Sequence, residues 1–399
     1  MGVTPVVSAV AARRLFLAAQ GLLAKAGGPA ATAAGLRQVI DGLGFVQLDS
    51  INTVARAHDL ILRTRLPGYT PALLDQLLYK ERFLFEHWTH DASAIPTTAY
   101  AHWKGRFARD AVRLRGQSWW CHLLGADAER TVAHVRERIT KEGPLRSADF
   151  EHPEKRGAFW GWKPQKAALD YLWRIGELAV RDRVHFNKVY DLAERVFPAA
   201  HRQSAPTGKA HLKWAGESAA ERLVVFTPRE LAQFYGSIEP AAAKTFCAAA
   251  TRSGSLVQVM VEHADGSPPQ AGFAVADWES RLRHLTADAK EPPMQLLAPF
   301  DPVIRDRARC LRRFGFDYRF EAFTPEPRRI YGYYVLPILQ GDQLVGRLSP
   351  KLHRDRGVLA ISGVWWEPGV KATAARQRQL AAAVADLATF VGAARVEGL

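Results

Sequence analysis

Phe45-Val46-Gln47-Leu48-Asp49-Ser50-Ile51-Asn52 is an apolar stretch broken by an amide and a carboxylate two residues apart. The segment before it, Leu36 to Leu43, is apolar at helical spacing and closes on Gly44, the pattern of a helix with a glycine C-cap. Phe45, Val46, Leu48 and Ile51 suit a short buried strand or extended turn. In an extended chain residues i and i+2 face the same side, so Gln47 and Asp49 project together. An amide beside a carboxylate, walled by apolar groups, can hold a water and stabilise a cation forming next to it. The same residues also read as a cap, in which Asp49, Ser50 and Asn52 start the next helix and Gln47 is an ordinary strand residue. The pattern alone leaves both readings open.

At 399 residues the chain is long enough for two to four domains. Its 48% hydrophobic and 24% charged residues are those of a globular protein rather than a disordered one. The net charge of +14 points to a polyanionic partner, nucleic acid or an acidic membrane surface. Cys121, Cys247 and Cys310 stand apart, which argues against a disulfide framework and a cysteine zinc site. No apolar run approaches the ~18 residues of a membrane span, and the N-terminus lacks a signal-peptide layout, so a cytoplasmic protein with no membrane partner is expected.

Around the opening stretch the chain reads as short helices and strands. Ser8 to Lys25 is a helix stopped at Gly27-Gly28-Pro29, Leu60 to Leu66 and Pro71 to Leu78 are two more, and Arg82 to His87 tends to a strand. Tyr100 to Leu124 is an amphipathic connecting helix rich in arginine and tryptophan, and Ala128 to Lys141 is another helix. Gly143-Pro144-Leu145-Arg146-Ser147 opens a third at a serine cap. Pro164 to Gly176 has proline at its start and glycine at its end, and Glu177 to Phe186 alternates as a two-stranded wing does. Lys163 and Lys166 sit where a helix N-terminus and cations would together meet phosphate. After Pro206-Thr207-Gly208-Lys209, three helices and two strands repeat that element order, with starts at Thr227-Pro228 and Glu239-Pro240. From Met294 the texture turns to strands (Arg319 to Phe323, Arg329 to Leu339, Gln343 to Leu348, Gly357 to Trp366), and Ala372 to Ala393 closes the chain as a helix. Arg347, Lys351, His353, Arg354 and Arg356 gather at one hairpin, a candidate phosphate clamp. Glu86, His87, His90 and Asp91 have enough donors for a metal, but their spacing matches no standard zinc set, and pairing with Arg82 or Arg63 is the plainer expectation.

Four blocks in order carry a resemblance. They are Gly44-Phe45-Val46-Gln47-Leu48-Asp49-Ser50-Ile51-Asn52 continuing to Val54-Ala55-Arg56-Ala57-His58; Phe85-Glu86-His87-Trp88-Thr89-His90-Asp91-Ala92-Ser93 with Ile95-Pro96; Trp160-Gly161-Trp162-Lys163-Pro164; and Tyr331-Gly332-Tyr333-Tyr334-Val335-Leu336-Pro337. Together they resemble the YcaQ-type winged-helix DNA glycosylases, repair enzymes for alkylated bases and DNA crosslinks. The resemblance implies a catalytic motif of Gln47, an apolar Leu48 and Asp49. It also implies that Asn52, Arg56, His58, Glu86, His87 and His90 face the substrate or back the motif, without a catalytic metal. The family's hairpin pattern is closer to Gly-Arg-x-Asp-x-Lys-Ala-Asp-Arg; this chain has Ser349 and His353 in place of the two aspartates.

The expectation is an α+β protein of three tandem winged-helix units and a small antiparallel C-terminal β-subdomain, divided as 1–125, 126–205, 206–290 and 291–399. Lys163, Lys166, Arg347, Lys351 and Arg354 are the expected DNA contacts. The resemblance implies a monofunctional, cofactor-free enzyme acting on N7-alkylated purines and, in some relatives, interstrand crosslinks; double-stranded DNA is the expected partner and a monomer the expected state. The rival is a winged-helix regulator or architectural protein without chemistry, which has no use for a buried Gln–Asp pair.

Overall fold

The computed structural model describes residues 4–23, 28–124, 127–150, 163–285 and 292–399, in a mixture of helices and strands. The chain divides into two compact units, Met1–Pro71 with Trp214–Leu399, and Ala72–Lys213. The expected first stretch, 1–125, is thus shared between them, and the expected 206–290 and 291–399 fall almost wholly in the first. Among the described residues no helix is long and apolar enough to cross a membrane.

The first unit holds two sheets. One has the strand order Val6–Val7, Leu256–Val261, Gln270–Val275, Val225–Phe226; its central hairpin is antiparallel, and the edge strand Val6–Val7 runs parallel to Leu256–Val261. The hairpin and the helices Pro228–Tyr235 and Pro240–Arg252 lie where the sequence put them. Thr227 caps the first of these through Glu230 N, and Glu230 returns a bond to Thr227 N at 2.7 Å, a reciprocal capping box. The two-residue strands at 6–7 and 225–226 went unforeseen, because two residues carry no periodicity.

The second sheet joins Met294–Leu296, Leu336–Gln340, Gln343–His353, Val358–Trp366 and Arg395–Glu397, antiparallel except for the parallel last strand. Two expected strands are corrected. Residues 319–323 and the start of 329–339 form a loop, because the Glu321 carboxylate accepts from the backbone N–H groups of Ile330, Tyr331 and Gly332 at 2.9, 2.8 and 3.1 Å. Donors that a ladder would have used are taken by a side chain. The closing helix Ala374–Phe390 buries Leu380, Val384 and Leu387.

In the second unit, Leu84–Trp88 and Ala92–Pro96 form a hairpin, with Phe85 facing Ile95. The connecting helix is broken into Tyr100–Arg115 and Ser118–Leu124, around Gly116. Ala128–Glu142 and Pro164–Arg174 pack on a sheet of Leu145–Arg146, Asn187–Leu192 and Leu178–Val184. Their shared core includes Trp173, Leu169, Leu172, Val135 and Ile139, all at most 1% exposed. At Ser147 a short 3-10 turn, Ser147–Asp149, replaces the start of a helix, and the tryptophans of the 160–164 block lie outside the described residues.

Candidate active site

The approach to the motif is made by the helix Ala33–Leu43, capped at Thr32 by a bond from Gly35 N, with Leu36, Ile40 and Leu43 buried. Gly44 then turns the chain at φ +82°. A Cβ here would stand 2.7 Å from both Arg222 Nε and Tyr235 Oη, so conformation and space both demand glycine. Beyond the turn Phe45 anchors the stretch, edge-on to Phe234 at 5.5 Å and with the Arg305 guanidinium 5.0 Å from its ring centre.

Val46–Gln47 is a two-residue strand, and Gln47 is 4% exposed while Asp49 is half-buried. Asp49 does not cap a helix. Its Oδ1 accepts from Ile51 N at 2.7 Å, closing a local turn, and the next helix, Ala57–Arg63, starts at Arg56 with no side-chain cap. The helix cap reading of Asp49 is therefore replaced by a turn that holds the carboxylate in place.

His58, on the first turn of Ala57–Arg63, is buried. The Asp49 backbone N–H donates to its Nδ1 at 3.4 Å, so Nδ1 is the acceptor and Nε2 carries the ring proton. Nε2 lies 3.8 Å from Asp59 Oδ2, and Tyr69 Oη donates to Asp59 Oδ1 at 2.8 Å. Asp59 and Tyr69 extend the site beyond the expected residues; neither stood out, since both read as ordinary helix and loop positions. The end of the same helix is fastened by Arg65, whose guanidinium makes a buried two-pronged ion pair with Asp301 at 2.7 and 3.0 Å.

The long strand Gln343–His353 reaches the motif from behind. Leu352 N donates to Thr53 O at 3.0 Å. Arg354 donates to Asn52 O, Asn52 Oδ1 and Val54 O at 2.9, 2.8 and 2.9 Å. Arg354 and Asn52 are thus brought together as a brace on the motif, while Lys351 is exposed. Arg347 is corrected as a phosphate contact: it is 5% exposed, its guanidinium 4.3 Å from the Phe316 ring centre and 4.4 Å from that of Tyr331, and it pairs with Glu367 at 3.0 Å.

Glu86 and His87 belong to the second unit, and both are buried on the strand Leu84–Trp88. Glu86 pairs with Arg183 at 2.9 and 2.6 Å and accepts from Tyr79 Oη at 2.7 Å, where Arg82 or Arg63 had been expected. Arg82 instead bonds the Leu78 and Arg181 carbonyls, and Arg63 pairs with Asp386. Burial would raise the Glu86 carboxyl, but Arg183 and Tyr79 outweigh it and hold it below its ordinary value. His87 has Nε2 3.1 Å from Trp173 O and its ring between Phe107 and Trp173; burial, then Arg106, pushes it down to about 3. A neutral, enclosed imidazole of this kind is a core residue rather than a proton carrier. His90 is exposed, with Nδ1 3.1 Å from Thr89 Oγ1. Among the described residues no three His, Cys, Asp or Glu side chains stand close enough to hold a metal ion. Lys163 and Lys166 are both exposed at the start of Pro164–Arg174.

Arg56 is half-buried at the head of Ala57–Arg63, beside the motif in sequence. The motif, its histidine and its brace thus come from three separate segments of one unit.

The fold is similar to that of the DNA glycosylase AlkZ of Streptomyces sahachiroi, with a TM-score of 0.63 over 98% of this chain and 98% of that one, at 14% sequence identity. The sequence pattern of the family described as DNA glycosylase AlkZ-like matches residues 40–390, a span that runs from the helix before Gln47 to the closing helix. With most of its length inside that match, the chain belongs to the AlkZ-like DNA glycosylase family.

Proposed function

We propose that this glycosylase hydrolyses the N-glycosidic bond of N7-alkylated purines in double-stranded DNA, by a monofunctional route, and that it also unhooks interstrand crosslinks made through N7. The observation that carries the reading is the half-buried Asp49 carboxylate, pinned by Ile51 N–H and by the tie of its own amide to His58, next to buried Gln47.

An alkyl group on N7 makes the base cationic and a good leaving group, so little acid catalysis is needed. What remains is to stabilise the oxocarbenium-like sugar and to deliver water to C1′. Asp49 supplies the negative charge and takes the water's proton, and Gln47 orients that water. Preorganisation matters because a charge already held in place needs no rearrangement as the cation forms. No lysine stands near the motif in sequence, which favours hydrolysis over Schiff-base chemistry. Helices followed by a two-stranded hairpin, two among the described residues of Ala128–Leu192 and three in Gly208–Val275, support a reading as tandem winged helices on the duplex. Exposed Lys163, Lys166 and Lys351 and the net charge of +14 supply cations for the phosphates.

The test is a duplex carrying one N7-methylguanine, incubated with the protein and then treated with alkali to break abasic sites. Strand breaks at the lesion are expected. Cleavage no faster than spontaneous depurination, on this and on a bulkier N7 adduct, overturns the reading.

A further inference from the structure

Tyr334 lies two residues before the strand Leu336–Gln340. That strand pairs Leu336 with Leu348, and two residues on the partner strand continues to Pro350, then to Leu352, whose N–H reaches Thr53 O. Tyr334 is therefore carried in alongside the part of the sheet that meets the 52–54 segment. It is 1% exposed, and its Oη is buried with no hydrogen-bond partner among the described residues. A buried phenol normally finds an acceptor, because losing water without replacing it is unfavourable.

The surroundings narrow what this hydroxyl serves. Burial first, then the charges of Asp49, Tyr318 and Asp59, hold the phenol well above its ordinary value, so it keeps its proton and stands within electrostatic reach of both carboxylates. Tyr318 is occupied, its Oη donating to Val335 O at 2.7 Å. Asp59 already takes Tyr69 on Oδ1 and faces His58 with Oδ2. Asp49, the first of these charges, accepts from Ile51 N on Oδ1 and is the catalytic carboxylate of the proposed reaction.

We propose that Tyr334 is a positioning residue whose hydroxyl, buried without a partner near Asp49, donates to the nucleophilic water held by Asp49 and Gln47. This rests on the glycosylase mechanism proposed above. A water attacking C1′ has two hydrogens and two lone pairs. The hydrogens go to Asp49 and to the Gln47 carbonyl oxygen; one lone pair attacks, and the other accepts from Tyr334. As the O–C1′ bond forms, the glycosidic electrons leave with the base, neutralising its charge, and the water's proton passes to Asp49. Tyr334 keeps its own proton throughout.

The experiment compares Tyr334→Phe with the parent protein and repeats the comparison in an Asp49→Asn background, using single-turnover base release from the N7-methylguanine duplex, duplex affinity and melting temperature. Phenylalanine deletes one oxygen and retains the ring. Base release is expected to fall about tenfold at unchanged affinity, while melting temperature stays level or rises because an unsatisfied hydroxyl is gone. The tenfold loss is expected to vanish in Asp49→Asn, where the water has lost its carboxylate. Parent-like release by Tyr334→Phe, with Asp49→Asn impaired, overturns this inference and leaves the mechanism standing. A loss of equal size in both backgrounds, or a fall in melting temperature matching the fall in rate, assigns Tyr334 a structural role and also overturns it. Parent-like release by Asp49→Asn overturns the mechanism itself.

Discussion

Arg354 and Asn52, 302 positions apart, are joined by a bond from the arginine Nη2 to Asn52 Oδ1 at 2.8 Å, and the same guanidinium also holds the Asn52 and Val54 carbonyls. Three bonds from one planar fork are a geometric constraint, not only a charge. The segment that follows the motif is thereby clamped to the far end of the chain.

This separates two cations of one hairpin. Arg354→Ala is expected to lower single-turnover base release by roughly 10- to 100-fold, since loosening a positioned group by about an ångström costs that much, with a smaller effect on affinity for undamaged duplex. Lys351→Glu is expected to do the reverse, weakening affinity and reducing the log–log salt slope by ~0.9 per lost phosphate contact. Salt titrations and base-release kinetics on the two variants check both; an unchanged slope in Lys351→Glu removes that lysine from the DNA surface.

Within the motif, Asp49→Asn keeps shape and removes charge. Base release is expected to fall roughly 10²–10³-fold, the scale of one preorganised electrostatic contact. Gln47→Ala leaves the charge and removes one orienting bond, for a smaller loss of about 10- to 100-fold. Both variants are expected to bind duplex and to melt near the parent temperature. An Asp49→Asn protein that unfolds would identify the turn at Ile51 as the residue's main role.

His58 Nδ1 accepts a hydrogen bond from the Asp49 backbone N–H. Asparagine can offer an acceptor near the Nδ1 position, and alanine cannot. His58→Asn is therefore expected to retain more base release than His58→Ala, by about tenfold. Single-turnover base release from the two variants checks this, and equal rates would contradict it.

His87 predicts the acid behaviour of the second unit. Its native pKa of about 3 lies below the ordinary value of 6.5, so on acidification the unfolded chain takes up the proton first. Stability then rises with pH across the window from about 3 to 6.5, and is lost as pH falls through it. Glu86, also depressed, adds a further loss near and below its ordinary value of 4.5. In thermal melts, His87→Gln is expected to be less stable than the parent at pH 7.5 and to lose less on going to pH 5. Parallel parent and variant curves would refute the assignment.

Local signals located the elements that carry strong punctuation. The Gly44 stop, the Thr227-Pro228 and Glu239-Pro240 starts, the Pro164 start and the hairpin beginning at Leu256 all appear where glycine, proline or strict alternation marked them. The loop at 319–333 was misread because Glu321 overrides strand propensity through three backbone bonds, and nothing in its neighbours announces that. Arg347 and Arg354 looked alike as hairpin cations, yet one is enclosed by Phe316 and Tyr331 and the other is spent on Asn52.

The amino-acid sequence by itself determined the chemistry available at the motif: an amide and a carboxylate two positions apart, after a glycine turn, in an apolar surround. Those are short-range properties, set by covalent spacing and backbone preference. Which partners hold the pair was decided only by tertiary structure. His58 is nine residues from Asp49, and Leu352 and Arg354 are some three hundred from the segment they brace. Contacts across such separations depend on how sheets and helices pack, and packing energy is shared among too many residues for any local pattern to record it.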